Sequence, residues 1–331
     1  SKSKRYDILK KYSYITNQDR TRNIEEIHLK IPQPVTLKLN DLNPMNKNSV
    51  LFKYAVTDKA DGDRYILYIT NNRGYLINSK LQVLDTGVDF PDLNIEYIFD
   101  GEYITKNIND ENIKLFKIFD IYYTKPFGTK GSVNYVHKLP FIINKEYKSK
   151  GSNYTFGRLK IIDDFQKSIL STIIEDDSSI RIEVKKYKFG SFGSNHEKGT
   201  DKYLNDGSKI LQECNNILKS SDNGAFEYKI DGLILLPLFS GVKGKYDGDA
   251  PDYIGGKWEQ NYKWKPPEEN TIDFQVKFVK EKINTKIVDK KRNFSIKNID
   301  GTETLSEHKT VKLLVKYDAT DDKSIDFCMR I

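Results

Sequence analysis

The stretch Lys59-Ala60-Asp61-Gly62-Asp63-Arg64 decides how this chain is read, because it lies between Leu51-Phe52-Lys53-Tyr54-Ala55-Val56-Thr57 and Tyr65-Ile66-Leu67-Tyr68-Ile69-Thr70. Both flanks are rich in aromatic and β-branched residues, so each predicts a strand, and the Asp61-Gly62 pair predicts the turn between them. A lysine ending one strand and an arginine starting the next can project into one cleft. Read from these residues alone, the hexapeptide is either a nucleophilic lysine beside an acidic turn or the solvated tip of an ordinary hairpin.

Strand signals continue outward. From about 50 to 125, apolar runs alternate with turn signals at Asn71-Asn72-Arg73-Gly74, Asp85-Thr86-Gly87 and Phe90-Pro91-Asp92, which predicts a largely antiparallel sheet. Upstream, Tyr6 to Ile15 reads as a short basic helix, Ile24 to Ile31 alternates like a strand, and Pro32, Pro34 and Pro44 punctuate the segment after that strand. Downstream the spacing turns helical, through Ile161, Ile162, Phe165, Ile169, Leu170 and Ile173, then Leu204, Ile210, Leu211, Cys214, Ile217 and Leu218. A strand returns at Lys229 to Leu236, followed by a Gly- and Asp-rich loop over 240–257.

After Pro266-Pro267-Glu268-Glu269-Asn270, short strands are expected at Ile272 to Phe278, Thr285 to Val288, Thr310 to Tyr317 and Ile325 to Ile331. This organisation predicts a lead-in over 1–48, an α+β domain of antiparallel sheets flanked by helices over 49–267, and a small β-barrel over 268–331. About four strands are visible where such a barrel has five, so the barrel is read as cut short.

With 331 residues, two domains are the default, and 37% hydrophobic and 12% aromatic residues supply a packed core, which excludes a disordered chain. A net charge of +7 permits a polyanionic partner without identifying it. Cys214 and Cys328 lie far apart, and His28, His137, His196 and His308 are not at ligand spacing from them, so neither a disulfide scaffold nor a zinc site is indicated. No run approaches the ~18 apolar residues that span a bilayer, and Ser1-Lys2-Ser3-Lys4-Arg5 precedes no signal core. The expectation is a soluble protein, without a membrane, in a reducing compartment.

Four more motifs occur after the lysine, each at a strand. Ile98-Phe99-Asp100-Gly101-Glu102-Tyr103 places two acids around a glycine, able to accept from a ribose or help hold a metal, or simply to form a charged turn. Phe116-Lys117-Ile118-Phe119-Asp120-Ile121 is aromatic-rich, for packing or for one ring that leaves the core to stack on a purine. In Tyr228-Lys229-Ile230-Asp231-Gly232-Leu233-Ile234-Leu235-Leu236 a carboxylate precedes an apolar strand. In Tyr262-Lys263-Trp264-Lys265-Pro266-Pro267, alternation sends Lys263 and Lys265 to one face, where two ammonium groups can converge on a polyphosphate or decorate an edge strand.

In this order the five motifs resemble the covalent lysyl-nucleotidyltransferase superfamily of mRNA-capping guanylyltransferases and ATP-dependent polynucleotide ligases. The resemblance is closest to the guanylyltransferases of large DNA viruses and cytoplasmic linear plasmids. Asp231-Gly232 stands where ligases usually carry Glu-Gly, and Lys263-Trp264-Lys265-Pro266 and the run Pro267 to Phe274 are similar to the viral subgroup.

The resemblance implies a nucleotidyltransferase domain with ATP-grasp-like antiparallel sheets, followed by an OB-fold. It implies Lys59 as the nucleophile that takes GMP from GTP and passes it to 5′-diphosphate RNA, with ATP-dependent DNA or RNA ligation as the alternative and a catalytically silent nucleic-acid-binding module as a third reading. A lysine amine of pKa ~10.4 is protonated near neutrality, and Arg64, Lys263 and Lys265 would supply cations that oppose that form. Arg64 and Glu102 are expected at the ribose, Phe119 on the base, Lys263 and Lys265 on the phosphates, and Asp61 and Arg73 as further nucleotide contacts. Asp231 and Glu102 would serve Mg2+ or Mn2+.

Implied partners are a flanking or separate RNA triphosphatase and a cap methyltransferase, and the implied location is cytoplasmic: the host cytoplasm, a viral factory or a virion. The family's last motif, a basic strand of the OB domain, has no convincing counterpart before Ile331, with Arg330 near its place. The basic run Lys185-Lys186-Tyr187-Lys188-Phe189-Gly190, with Lys198, is either a guide for RNA or a solvated loop.

Overall fold

A computed structural model describes residues 2–16, 27–46, 48–91, 94–126, 134–143, 156–174, 176, 178–191, 201–266, 275–297 and 303–314. The chain forms two compact units, Ser1–Pro267 and Glu268–Ile331. The first is mixed α+β. In chain order it contains α1 (Lys2–Ile15), β1 (Pro32–Thr36), β2 (Tyr54–Ala60), β3 (Asp63–Thr70), β4 (Arg73–Asn78), β5 (Val83–Asp89), β6 (Ile95–Lys106), β7 (Asn112–Pro126), α2 (Arg158–Ser168), β8 (Arg181–Val184), β9 (Lys188–Phe189), α3 (Asp201–Asp222), β10 (Ile230–Pro237) and β11 (Gly256–Trp264).

These strands make two sheets. One is five-stranded in the order β1-β11-β10-β2-β9, the other six-stranded in the order β5-β4-β3-β6-β7-β8. Pairing is antiparallel except for β1 on β11 and β8 on β7. The stretch around Lys59 is therefore not a hairpin. β2 pairs with β10 and β9, whereas β3 pairs with β4 and β6, so the turn at Asp61-Gly62 carries the chain from one sheet to the other. Only glycine fits at 62: a Cβ there would stand 2.7 Å from the Tyr103 carbonyl oxygen and 2.9 Å from Glu102 Cγ.

Period-two alternation assigns each face. On the five-stranded sheet Val56, Leu233, Leu235 and Tyr262 pack with Ile210 and Ile217 of α3. On the six-stranded sheet Leu67, Ile69, Phe99, Phe116 and Ile118 pack with Ile162 and Phe165 of α2. Between the sheets lies a third core, in which Ala55, Leu236 and Trp258 meet Ile66, Tyr68, Ile98 and Tyr122, and Ile8, Leu9 and Tyr12 of α1 join them.

The lead-in departs from its sequence reading. Residues 27–31 are not a strand, those before them fall outside the described residues, and the strand is instead Pro32–Thr36. It pairs on one side only, as the edge of its sheet, where a residue without an N–H is tolerated.

The second unit contains β12 (Gln275–Phe278), β13 (Lys280–Ile283), β14 (Lys286–Asp289), β15 (Lys291–Lys297), β16 (Glu303–Lys309) and β17 (Val311–Leu314). They pair as β12-β17, β13-β14 and β15-β16. Backbone bonds from Val279 to Thr310 and from Lys290 to Val279 join the ladders at their ends. The strand expected at Ile325 to Ile331, and Arg330 with it, lie outside the described residues. Among the described residues no helix is long and apolar enough to cross a membrane.

Candidate active site

A cavity in the first unit is lined from both sheets. Thr57, Lys59, Ile234, Leu236, Asn261 and Lys263 come from the five-stranded sheet, and Arg64, Glu102, Phe119 and Tyr122 from the six-stranded one. The crossing at Asp61-Gly62 sets Lys59 and Arg64 on the two walls.

Lys59 is 2.6 Å from Asp231, Nζ to Oδ1, and Lys265 Nζ takes the other carboxylate oxygen at 2.5 Å. The group nearest the Lys59 amine is thus a carboxylate shared by two lysines, not the cations that the motifs pointed to. Burial pushes the Asp231 carboxyl up, but hydrogen bonds from Lys265 and Lys59 outweigh it and hold it below the usual carboxylate range. Gly232 makes this approach possible. Its φ is 130°, and a Cβ would fall 1.9 Å from the Trp264 carbonyl oxygen.

Arg64 is fixed from two directions. Its guanidinium forks onto both oxygens of Asp100, which is fully buried, and Nη1 donates to the Pro32 carbonyl at 2.6 Å. Tyr122 Oη also donates to Asp100. Burial opposes the Arg64 charge, and Asp100 more than compensates, so its pKa is raised. Glu102 stands opposite Arg64 in the β3–β6 register. Burial pushes its carboxyl up to about 7, against the pull of Lys185, Arg64 and Lys59.

Phe119 occupies a bulge. On β7, Asp120 faces Asp100 and Ile118 faces Gly101, which leaves Phe119 without a partner between them. An unpaired residue re-aims its side chain. Phe116 is fully buried against α2, whereas Phe119 is only partly buried, lines the cavity and lies under the Arg64 guanidinium at 5.3 Å. The bulge is pinned from behind. Arg158, fully buried, donates from Nε to Asp120 Oδ1 at 2.8 Å, and Tyr187 Oη donates to the Phe119 carbonyl at 2.8 Å.

Three expected nucleotide contacts do not line the cavity: Lys265, held at Asp231, and Arg73 and Asp61. Arg73 pairs with Asp85 and Asp89, each at 2.7 Å, on the far edge of the six-stranded sheet. Its charge is spent there because both acids lie on the adjoining strand β5. Asp61 is exposed at the turn, where its backbone N–H donates to the Lys229 carbonyl.

Sequence reasoning missed Lys185. It is buried, not part of a solvated loop: it donates to the Asp58 carbonyl at 2.6 Å and to Asp58 Oδ2 at 3.0 Å, and it lines the cavity. No local signal marked it, because the alternation Arg181-Ile182-Glu183-Val184 before it puts Lys185 in step with the two charged residues. Lys198 falls outside the described residues.

Asp231 and Glu102 are the carboxylates expected to serve a divalent cation, but both oxygens of Asp231 are already taken by Lys59 and Lys265. Among the described residues no set of three or more acids, histidines or cysteines converges. A Mg2+ ion takes one or two carboxylates and completes its shell with substrate phosphates and water, so at Asp231 it would have to displace at least one of the two lysines.

A family model described as mRNA capping enzyme, catalytic domain, matches residues 12–138, the span that holds Lys59, Arg64, Glu102 and Phe119. Over this span the chain is similar to the mRNA capping enzymes. A probable mRNA-capping enzyme of Acanthamoeba polyphaga mimivirus is 28% identical over 299 residues, covering 85% of this chain and 23% of that protein. The mRNA-capping enzyme of Danio rerio is 26% identical over 256 residues, covering 75% of this chain and 34% of that one. The chain therefore spans about a quarter to a third of the capping enzymes it matches. Among solved structures, a mycobacterial DNA ligase D complexed with ATP and MES aligns over 78% of this chain and 65% of its own, at 11% identity and a TM-score of 0.37.

Proposed function

We propose that this chain is an mRNA guanylyltransferase with Lys59 as its nucleophile. The observation that carries the reading is one cavity holding Lys59, Arg64, Glu102, Lys263 and a bulge-presented Phe119, in a chain similar to the capping enzymes. The Lys59 amine, having given up its proton, attacks the α-phosphorus of GTP. The N–P bond forms, the bond to the bridging oxygen breaks, and pyrophosphate leaves. In the second step a terminal oxygen of 5′-diphosphate RNA attacks the same phosphorus, the P–N bond breaks, the amine is reprotonated and GpppN is released.

Phe119 stacks on the base, Arg64 and Glu102 hold the ribose, and Lys263 and Lys265 neutralise the phosphates as charge builds on them. Asp231 anchors both Lys59 and Lys265, so the two cations are held near the reacting phosphate before it arrives. Mg2+ or Mn2+, held by Asp231 and Glu102, would supply charge compensation for the triphosphate. The first unit is read as the nucleotidyltransferase domain and Glu268–Ile331 as an OB-fold. RNA triphosphatase and cap methyltransferase activities would come from neighbouring segments or separate proteins, and the reaction would run in a host cytoplasm.

The test is covalent labelling with α-labelled GTP or ATP in the presence of Mg2+. Label from GTP is expected, stable to alkali and released by acid as a phosphoramidate is. Label from ATP alone would replace the reading with a polynucleotide ligase.

A further inference from the structure

The cavity has a charged end and an apolar end. On β11, Asn261 and Lys263 alternate onto one face, and Lys265 follows just past the strand's end, four residues and about 13 Å from Asn261 at ~3.3 Å per residue. Lys265 shares Asp231 with Lys59, so the far end of the strand lies away from the reacting amine. There the wall is apolar: Leu236, the residue after the Leu235–Tyr262 pair, and Trp258, three residues from Asn261 in sequence, line the cavity with it. A nucleotide with its phosphates among the lysines directs its base to that end.

Asn261 is 7% exposed. Its Oδ1 is buried without a hydrogen-bond partner among the described residues, and of the side chains in that condition only Asn261 lines this cavity. Buried acceptors are normally paired, so an unpaired one facing a cavity points to a donor carried by the ligand.

We propose that Asn261 is a specificity-determining residue that reads the base, its Oδ1 accepting a hydrogen bond from guanine N1–H. Adenine presents a lone pair at the same ring position and would oppose the amide oxygen. The assignment rests on the guanylyltransferase reading and extends it to the choice between GTP and ATP.

The experiment compares lysyl-nucleotide formation from GTP and from ATP in wild type, Asn261→Leu and Asn261→Asp, with thermal melting of each. Leucine, close in size but without an acceptor, should lower the GTP-to-ATP ratio by about 10- to 100-fold. Aspartate, which accepts the same N–H, should keep it within about threefold. A purely structural role reverses that order, because a buried carboxylate is harder to accommodate than an isobutyl group.

N1-methyl-GTP tests the contact without any variant, and in wild type it should label about 10- to 100-fold less than GTP. A leucine variant as selective as wild type, or N1-methyl-GTP equal to GTP in wild type, overturns the assignment. If wild type labels from ATP and not from GTP, the parent reading fails instead.

Discussion

Lys59 and Asp231 face each other across the β2–β10 pair with Nζ and Oδ1 2.6 Å apart, and Lys265 holds the second oxygen of the same carboxylate. One acid thus positions a candidate nucleophile and a candidate phosphate ligand. Asp231→Asn keeps the shape and removes the shared charge. Labelling from GTP should fall by about 10- to 100-fold, the worth of one or two charge-assisted hydrogen bonds. Quench-flow labelling at saturating GTP measures it, and an unchanged rate would remove Asp231 from the machinery.

Phe119 and Phe116 lie three residues apart but do different work. Phe119→Ala should weaken GTP binding by about 5- to 100-fold, the range of one aromatic stack, with little change in melting temperature. Phe116→Ala, emptying a fully buried site against α2, should cost about 3–5 kcal/mol of stability. Urea titration and nucleotide binding on both variants separate the two roles.

Glu102 makes stability depend on pH. Its folded carboxyl is raised to about 7 by burial, against an ordinary value of ~4.3, so folding takes up a proton between those limits. The stability this contributes is complete below the ordinary value and is lost as pH rises through about 7. Glu102→Gln stays neutral throughout. Relative to that variant, wild type should lose on the order of 2–3 kcal/mol between pH 4.5 and 8, read from parallel melting curves.

Arg158 and Asp120 form a fully buried pair behind the bulge. Arg158→Leu strands the Asp120 carboxylate and should cost about 3–5 kcal/mol, while Arg158→Leu with Asp120→Leu should recover much of it. Equal unfolding midpoints for the single and double variants would show that the pair is not coupled.

Much of this site is legible in the sequence because it is local. The lysine, the acidic turn and the two-lysine strand each sit within six residues, where alternation alone fixes which side chains share a face. The features that stayed hidden depend on partners distant in sequence. The flanks of Lys59 look like a hairpin, and only their pairing with β10 and β6 shows that the turn crosses between sheets. Nothing local tells Phe119 from Phe116, since the bulge is set by the register of β6 against β7. Pro32 and Pro34 read as breaks, yet an edge strand absorbs them. Arg73 carries the expected charge, but Asp85 and Asp89 consume it. Lys185 hid in a basic run because burial of one lysine among several leaves no compositional trace.

The most direct test is the intact mass of the protein after incubation with GTP and Mg2+, followed by peptide mapping. The account predicts a single added GMP on the peptide containing Lys59 and none in Lys59→Ala. An adduct on any other residue, or one that persists in Lys59→Ala, would contradict it.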